Sequence, residues 1–247
     1  MSKRVKILVG AVVVLALAVG GGLYYFFHND NPEKVSLENA AKSVATTTTV
    51  AGATSTAGSG TAPGIDGTWQ VDNKSGTFDF SSATGTFAGF RIKENLSSVG
   101  SAEAVGRTGG VTGTMKISGS TVSEAAFTVQ MSTITTDRAM RDGRVRSALE
   151  TDKFPQATFK LSQPLDLGSD AASGASVSAT AVGDLTVHGV TKSVKFPLQA
   201  KLVSGTVVVV GSLDVKLSDY GVQKPSSPLV LSIADDATIE LQVLLTK

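Results

Sequence analysis

From Ile65 to Lys247 apolar and polar residues alternate with a period of two, and this pattern restricts the chain more than any other feature. The runs Thr77-Phe78-Asp79-Phe80, Phe127-Thr128-Val129-Gln130-Met131, Leu213-Asp214-Val215-Lys216-Leu217 and Ile239-Glu240-Leu241-Gln242-Val243 each predict a strand with one buried and one wetted face. Val194 to Leu202 follows the same rule, and Pro197 inside it predicts an edge or a bulge. Turn signals at Ser118-Gly119-Ser120, Gly168-Ser169-Asp170 and Val203-Ser204-Gly205 separate the runs at hairpin spacing. The expectation is an all-β domain, residues 65–247: an antiparallel sheet of about eight strands that closes into a barrel and so removes its own edges. One short helix is expected from Thr135-Thr136-Asp137 through Leu149, weakened by Gly143 and ended by Phe154-Pro155.

The N-terminal part reads differently. Lys3, Arg4 and Lys6 precede a run from Ile7 to Phe27 without formal charge. At ~1.5 Å per residue a helix of that length spans about 30 Å, the thickness of a bilayer's hydrocarbon core. Residues 1–6 are therefore expected in the cytoplasm and residues 7–27 as a transmembrane signal anchor, with the following domain outside the cell membrane. Tyr24 to Phe27 would form the outer aromatic belt. Cleavage near Ala18 and secretion is the alternative, but the apolar run continues well past that site. Residues 28–64, rich in Thr, Ala, Gly and Ser toward their end, are expected to form a flexible linker with a mean reach of roughly 30 Å.

Composition excludes several functions. The chain of 247 residues has 22 Lys+Arg against 21 Asp+Glu, so no global field draws it to nucleic acid. Cysteine is absent, which removes disulfides, thiolate nucleophiles and zinc-thiolate sites. Of the two histidines, His28 sits at the end of the apolar run, leaving His188 as the one imidazole for a triad with Asp184 and a serine. A turn residue bonded to backbone is the plainer reading of His188. The glycines at 106, 109, 110 and 113 lack the Lys-Ser/Thr of a phosphate loop and predict a turn. Asp235-Asp236 predicts a loop end before the last strand. No metal site and no catalytic residue is expected.

Two candidate groups remain. Phe78, Phe80, Phe127, Val129, Phe159, Leu185, Phe196 and Leu198 are the inward positions, and alternation leaves open whether they fill the barrel or line a tunnel. Arg138, Arg141 and Arg144 share a helical face suited to a pyrophosphate headgroup, although Asp137, Asp142, Glu150 and Asp152 lie close enough in sequence to neutralise them.

Four segments carry a family resemblance: Trp69 to Ser75; Arg141 to Ser147 with Lys153 to Phe159; Gly183 to Thr191; and Asp219 to Val222. In these the chain resembles the YceI-like lipid- and polyisoprenoid-binding proteins. The resemblance implies an extended lipocalin-like barrel with an elongated apolar cavity, in an exported bacterial protein. It implies no cofactor beyond a bound isoprenoid or fatty amphiphile. Arg144 stands where the family commonly has histidine, and residues 85–113 are unusually rich in Gly and Ser. The expected function is a membrane-tethered binding protein that carries or sequesters such a ligand. A filled envelope module that binds through its outer surface, or a hydrolase using His188, are the alternatives. Oligomeric state is not readable.

Overall fold

The computed structural model describes residues 31–50, 64–97, 100–225 and 230–247. The expected anchor, residues 7–27, lies outside the described residues; among the described residues no helix is long and apolar enough to cross a membrane.

The alternating runs form antiparallel strands β1 (Gly67–Val71), β2 (Phe87–Leu96), β3 (Gly100–Thr108), β4 (Val111–Ser118), β5 (Thr121–Gln130), β6 (Thr135–Thr136), β7 (Gln156–Leu161), β8 (Leu165–Asp166), β9 (Val177–Val187), β10 (Val190–Val203), β11 (Thr206–Lys216) and β12 (Val230–Thr246). Eight of them close a barrel in the order β1-β4-β5-β7-β9-β10-β11-β12, with β12 returning to β1. Closure works because β12 is long enough to serve two neighbours. Near its end Leu245 pairs with Val71 of β1, while from Gln242 back to Val230 it pairs with β2. The β2–β3 hairpin thus extends the wall beyond β1 and β4, and β6 joins it through Gly106↔Thr136.

Tight turns follow from local chemistry. Ser204 and Gly205 (φ 48° and 84°) join β10 to β11, and His188 and Gly189 (φ 52° and 75°) join β9 to β10. Two successive left-handed residues match the twist of a two-residue hairpin. Pro197 occupies a local edge, since from Val190 to Pro197 strand β10 pairs with β9 on one side only. It lies within β10 opposite Thr180, and pairing to β11 stops one residue away at Leu198, so the missing N–H falls where the ladder ends. Asp235 and Asp236 fall inside β12, at a register shift between Ile233 and Ala237, rather than in a loop before it. There Asp235 accepts hydrogen bonds from Ser218 N and Oγ, and Asp236 pairs with Lys216 at 2.8 Å.

Among the described residues two α-helices accompany the barrel. Helix α2 (Ala139–Ala148) replaces the expected Asp137–Leu149 segment. Its entry is not capped by the Thr-Thr-Asp side chains in the expected sense: Asp142 instead accepts from Thr136 N and Oγ1, each at 2.7 Å. Helix α1 (Leu37–Val50) corrects part of the linker expectation. Leu37, Ala40 and Val44 recur at helical spacing and are buried against Val208, Val210 and Leu244 on the outer face of the barrel. The Thr-rich stretch after Lys42 obscured this stripe in the sequence.

Residues ahead of α1 form a strap on the outer face of β2, β3 and β12. Beneath it Arg91, Arg107 and Glu240 are almost fully buried. Arg91 Nε lies 2.8 Å and Arg107 Nη2 3.7 Å from Glu240 Oε2, and Arg91 also reaches Glu103 at 2.9 Å. The strap supplies the remaining acceptors, since Arg91 donates to the Pro32 carbonyl and Arg107 to the Glu33 carbonyl, both at 2.6 Å. Arg107 also stacks on Phe87 at 4.4 Å. Burial lowers the Arg107 guanidinium below its ordinary value, opposed by Glu240. Removing the shared carboxylate leaves buried Arg107 without a carboxylate partner among the described residues and Arg91 with Glu103 alone. Glu240→Gln should therefore cost about 3–5 kcal/mol in a urea unfolding curve; a loss under about 1 kcal/mol, the size of an exposed pair, would show that the cluster is effectively solvated.

Candidate functional site

The barrel's two ends differ. At the base Trp69, Ile117, Val122 and Leu245 pack into a closed core, and Trp69 Nε1 donates to the Ile65 carbonyl at 2.7 Å. Above this core the lumen opens into a cavity of about 760 Å³. Its wall is almost wholly apolar. Six expected inward residues line it: Phe127, Val129, Phe159, Leu185, Phe196 and Leu198. Ala88, Phe90 and Ile92 of β2, Ile239 and Leu241 of β12, and Met140 and Leu149 around α2 also line it. The β2 alternation was readable, but the Gly-rich neighbourhood concealed it.

Phe78 and Phe80 do not belong to the wall. Thr77 to Phe80 is no strand, because its backbone is satisfied locally: Thr84 N donates to the Thr77 carbonyl and Thr77 N to Thr84 Oγ1, each at 3.0 Å. Phe78 is 39% exposed, and its ring rests over Gly109 in the β3–β4 connection.

What keeps the lumen open is a set of pairings between inward rings and glycines on the neighbouring strand. A Cβ at Gly106 would lie 2.4 Å from the ring of Phe90, one at Gly113 2.6 Å from that of Phe127, and one at Gly183 2.5 Å from that of Phe159. At Gly211 it would lie 2.5 Å from Leu198 and 3.0 Å from Phe196. These side chains lie against the wall in the space a neighbour's side chain would fill. Gly106 and Gly113 are therefore strand residues and not the expected turn, which is confined to Gly109-Gly110. At Gly106 all three nearest atoms belong to the Phe90 ring, so Gly106→Ala must push that ring inward. We expect a loss of about 1–3 kcal/mol by overpacking, recovered in the Gly106→Ala/Phe90→Ala double variant; additive losses in urea melts would contradict the pairing.

The mouth gathers charge. Arg138, Arg141 and Arg144 all border the cavity, beside Glu94 and Asp137. Arg141 pairs with Glu94 at 2.5 Å and also with Asp137, and Arg138 Nε lies 3.3 Å from Asp137. Two carboxylates thus face three guanidiniums. Arg144 is exposed and has no ion-pair partner among the described residues.

His188 takes the turn role. Its Nδ1–H donates to the Tyr220 carbonyl at 3.0 Å, its ring meets Phe154 edge-on at 4.8 Å, and Nε2 lies 3.4 Å from Glu150. The carbonyl can only accept, so Nδ1 carries the proton. Asp184 is not its partner; it pairs across the sheet with Ser193 and Lys160. Among the described residues no group of three His, Asp or Glu could hold a metal ion.

The remaining resemblance segments are structural. Asn73 donates to the Val111 carbonyl at 2.8 Å, and Asp72 accepts from Lys74 N and Ser75 N at 2.7 and 3.1 Å. Partial burial raises the Asp72 carboxyl, but these hydrogen bonds outweigh it and hold the group below its ordinary 3.8. A depressed carboxylate stabilises the fold above its unfolded value and loses that contribution as pH falls through the folded one. Asp72→Asn should accordingly flatten the acid side of the stability profile below about pH 4; an unchanged slope would remove Asp72 from the acid response.

The YceI-like domain matches residues 32–245. No curated protein matches the chain. Among solved structures, a polyisoprenoid-binding domain from Saccharophagus degradans, implicated in plant cell wall breakdown, is 17% identical with TM-score 0.51. That match covers 65% of this chain and 93% of that one. BcnA of Burkholderia cenocepacia (19% identical, 64% and 95% covered, TM-score 0.48) and the Campylobacter jejuni YceI protein (16%, 56% and 81%, 0.46) are also similar.

Proposed function

Since the chain belongs to the YceI-like domain family, matched over most of its length, we propose that its barrel takes up a polyisoprenoid or another long-chain amphiphile without chemical conversion. One observation carries this reading: a cavity of about 760 Å³, apolar along most of its wall, with Glu94, Asp137, Arg138, Arg141 and Arg144 gathered at its mouth. That volume falls in the ~300–1,000 Å³ range of small-molecule sites. The Saccharophagus degradans domain of the same fold is described as binding a polyisoprenoid, which fits the same chemistry. A chain of about a dozen methylenes gains roughly 10 kcal/mol on burial, at ~0.8 kcal/mol each. Ordering the chain costs part of that.

The charged mouth suits an amphiphile that enters tail first. Arg141 and Arg138 are held by Glu94 and Asp137, so Arg144 is the residue offered to an anionic headgroup, by forked hydrogen bonds to a phosphate. Residues 7–27 hold the domain on the outer side of the cell membrane, where such lipids reside; their length and flanking charges support this. A filled envelope module lacks support from the open lumen, and a hydrolase lacks support from the surroundings of His188.

The test is to purify the full chain from membranes, extract it with solvent and analyse the extract by mass spectrometry. We expect a reproducible long-chain lipid, and Arg144→Ala should weaken retention of a phosphorylated polyprenyl lipid by about tenfold, the loss of one charged hydrogen bond. A chain that comes out empty and takes up no added polyprenyl phosphate overturns the reading.

A further inference from the structure

We propose that the mouth of the barrel is its membrane-facing end, held there by the strap, so that ligand passes directly between bilayer and lumen. The proposal rests on reading residues 7–27 as an anchor and adds an orientation to it.

The strap's direction is the first support. Asn31 Nδ2 donates to the Glu103 carbonyl at 2.8 Å, three residues from the start of β3 at the mouth. Pro32 and Glu33 then reach Arg91 and Arg107, further toward the base, and α1 continues onto Val208, Val210 and Leu244. The chain therefore meets the barrel at its mouth end and runs toward the base. Only His28, Asn29 and Asp30 separate Phe27 from Asn31. Four Cα steps span at most about 14 Å. The stretch from 28 to 64 does not act as one long tether, because its middle is docked.

The surface at that end is the second support. Three large hydrophobic residues are exposed among the described residues, and two of them, Met140 (73%) and Leu231 (65%), stand at the mouth. Met140 projects from α2, and Leu231 follows Val230, which pairs with Leu96 at the cavity's opening. Exposed Arg144 and Lys224 accompany them, next to the lining residues Gln223 and Pro225. Apolar side chains accompanied by exposed cations fit an interface with anionic headgroups.

The absence of cysteine makes a direct test simple. Single variants Met140→Cys and Leu231→Cys report on the mouth, and Ser118→Cys and Ser173→Cys on the base. Each full-length variant carries a fluorophore and is reconstituted in phosphatidylcholine/phosphatidylglycerol vesicles containing a headgroup nitroxide lipid. Quenching at both mouth sites, with base sites at their lipid-free level, is the expected result. Inserting about 20 Gly/Ser residues between Asp30 and Asn31 adds a reach of about 25 Å and should reduce the contrast. If the chain withstands carbonate washing but the base sites quench as strongly as the mouth, the orientation is wrong and the anchor stands. If carbonate strips the chain from the vesicles, the anchor reading fails and the orientation falls with it.

Discussion

The open lumen depends on a steric exchange between neighbouring strands. An antiparallel barrel of eight strands has an interior that ordinary side chains are large enough to fill. Here large rings point inward, yet Phe90, Phe127 and Phe159 each pack over a glycine on the next strand. Phe90 takes the space at Gly106, Phe127 that at Gly113 and Phe159 that at Gly183. The rings supply apolar surface without occupying the axis. The glycines lower the strand propensity of β3, β4, β9 and β11, a cost of roughly 0.5–1 kcal/mol each relative to alanine. The rings that cover them return part of that cost by packing.

The outer face solves a different problem. Extending the wall with β2 and β3 places Arg91, Arg107 and Glu240 under covering backbone, where charges are expensive unless each finds a partner. Backbone carbonyls of Pro32 and Glu33 complete the arrangement, so the segment before α1 belongs to the same folded body as the barrel. The family match beginning at residue 32 agrees with this boundary. Docking thus converts a stretch of unremarkable composition into a fixed connection.

Much of this was legible in the sequence. Period-two alternation revealed segments of β5, β10, β11 and β12, the hairpin turns and six of the lining residues, since these follow from local chemistry. Phe78 and Phe80 misled because four alternating residues also suit a loop whose threonines satisfy its backbone. Gly106 and Gly113 resembled turn residues because their reason lies on another strand, invisible to a local pattern. Helix α1 was lost for a similar cause: three apolar positions just ahead of the threonines at 46–49 make a weak stripe until Val208 and Leu244 provide the opposing surface. The three arginines do border the cavity, but their division into held and exposed required Glu94, distant in sequence.

Beneath the main cavity lies a second void of about 70 Å³, lined by base-core residues such as Met115 and Leu165. Leu198 and Val209 border both spaces. Aliphatic residues therefore stand where the two spaces approach each other. In a barrel whose circumference is fixed by its ladder of hydrogen bonds, length is then the adjustable dimension. A related chain with smaller residues at these two positions would have a longer lumen on the same scaffold, without altering a single strand.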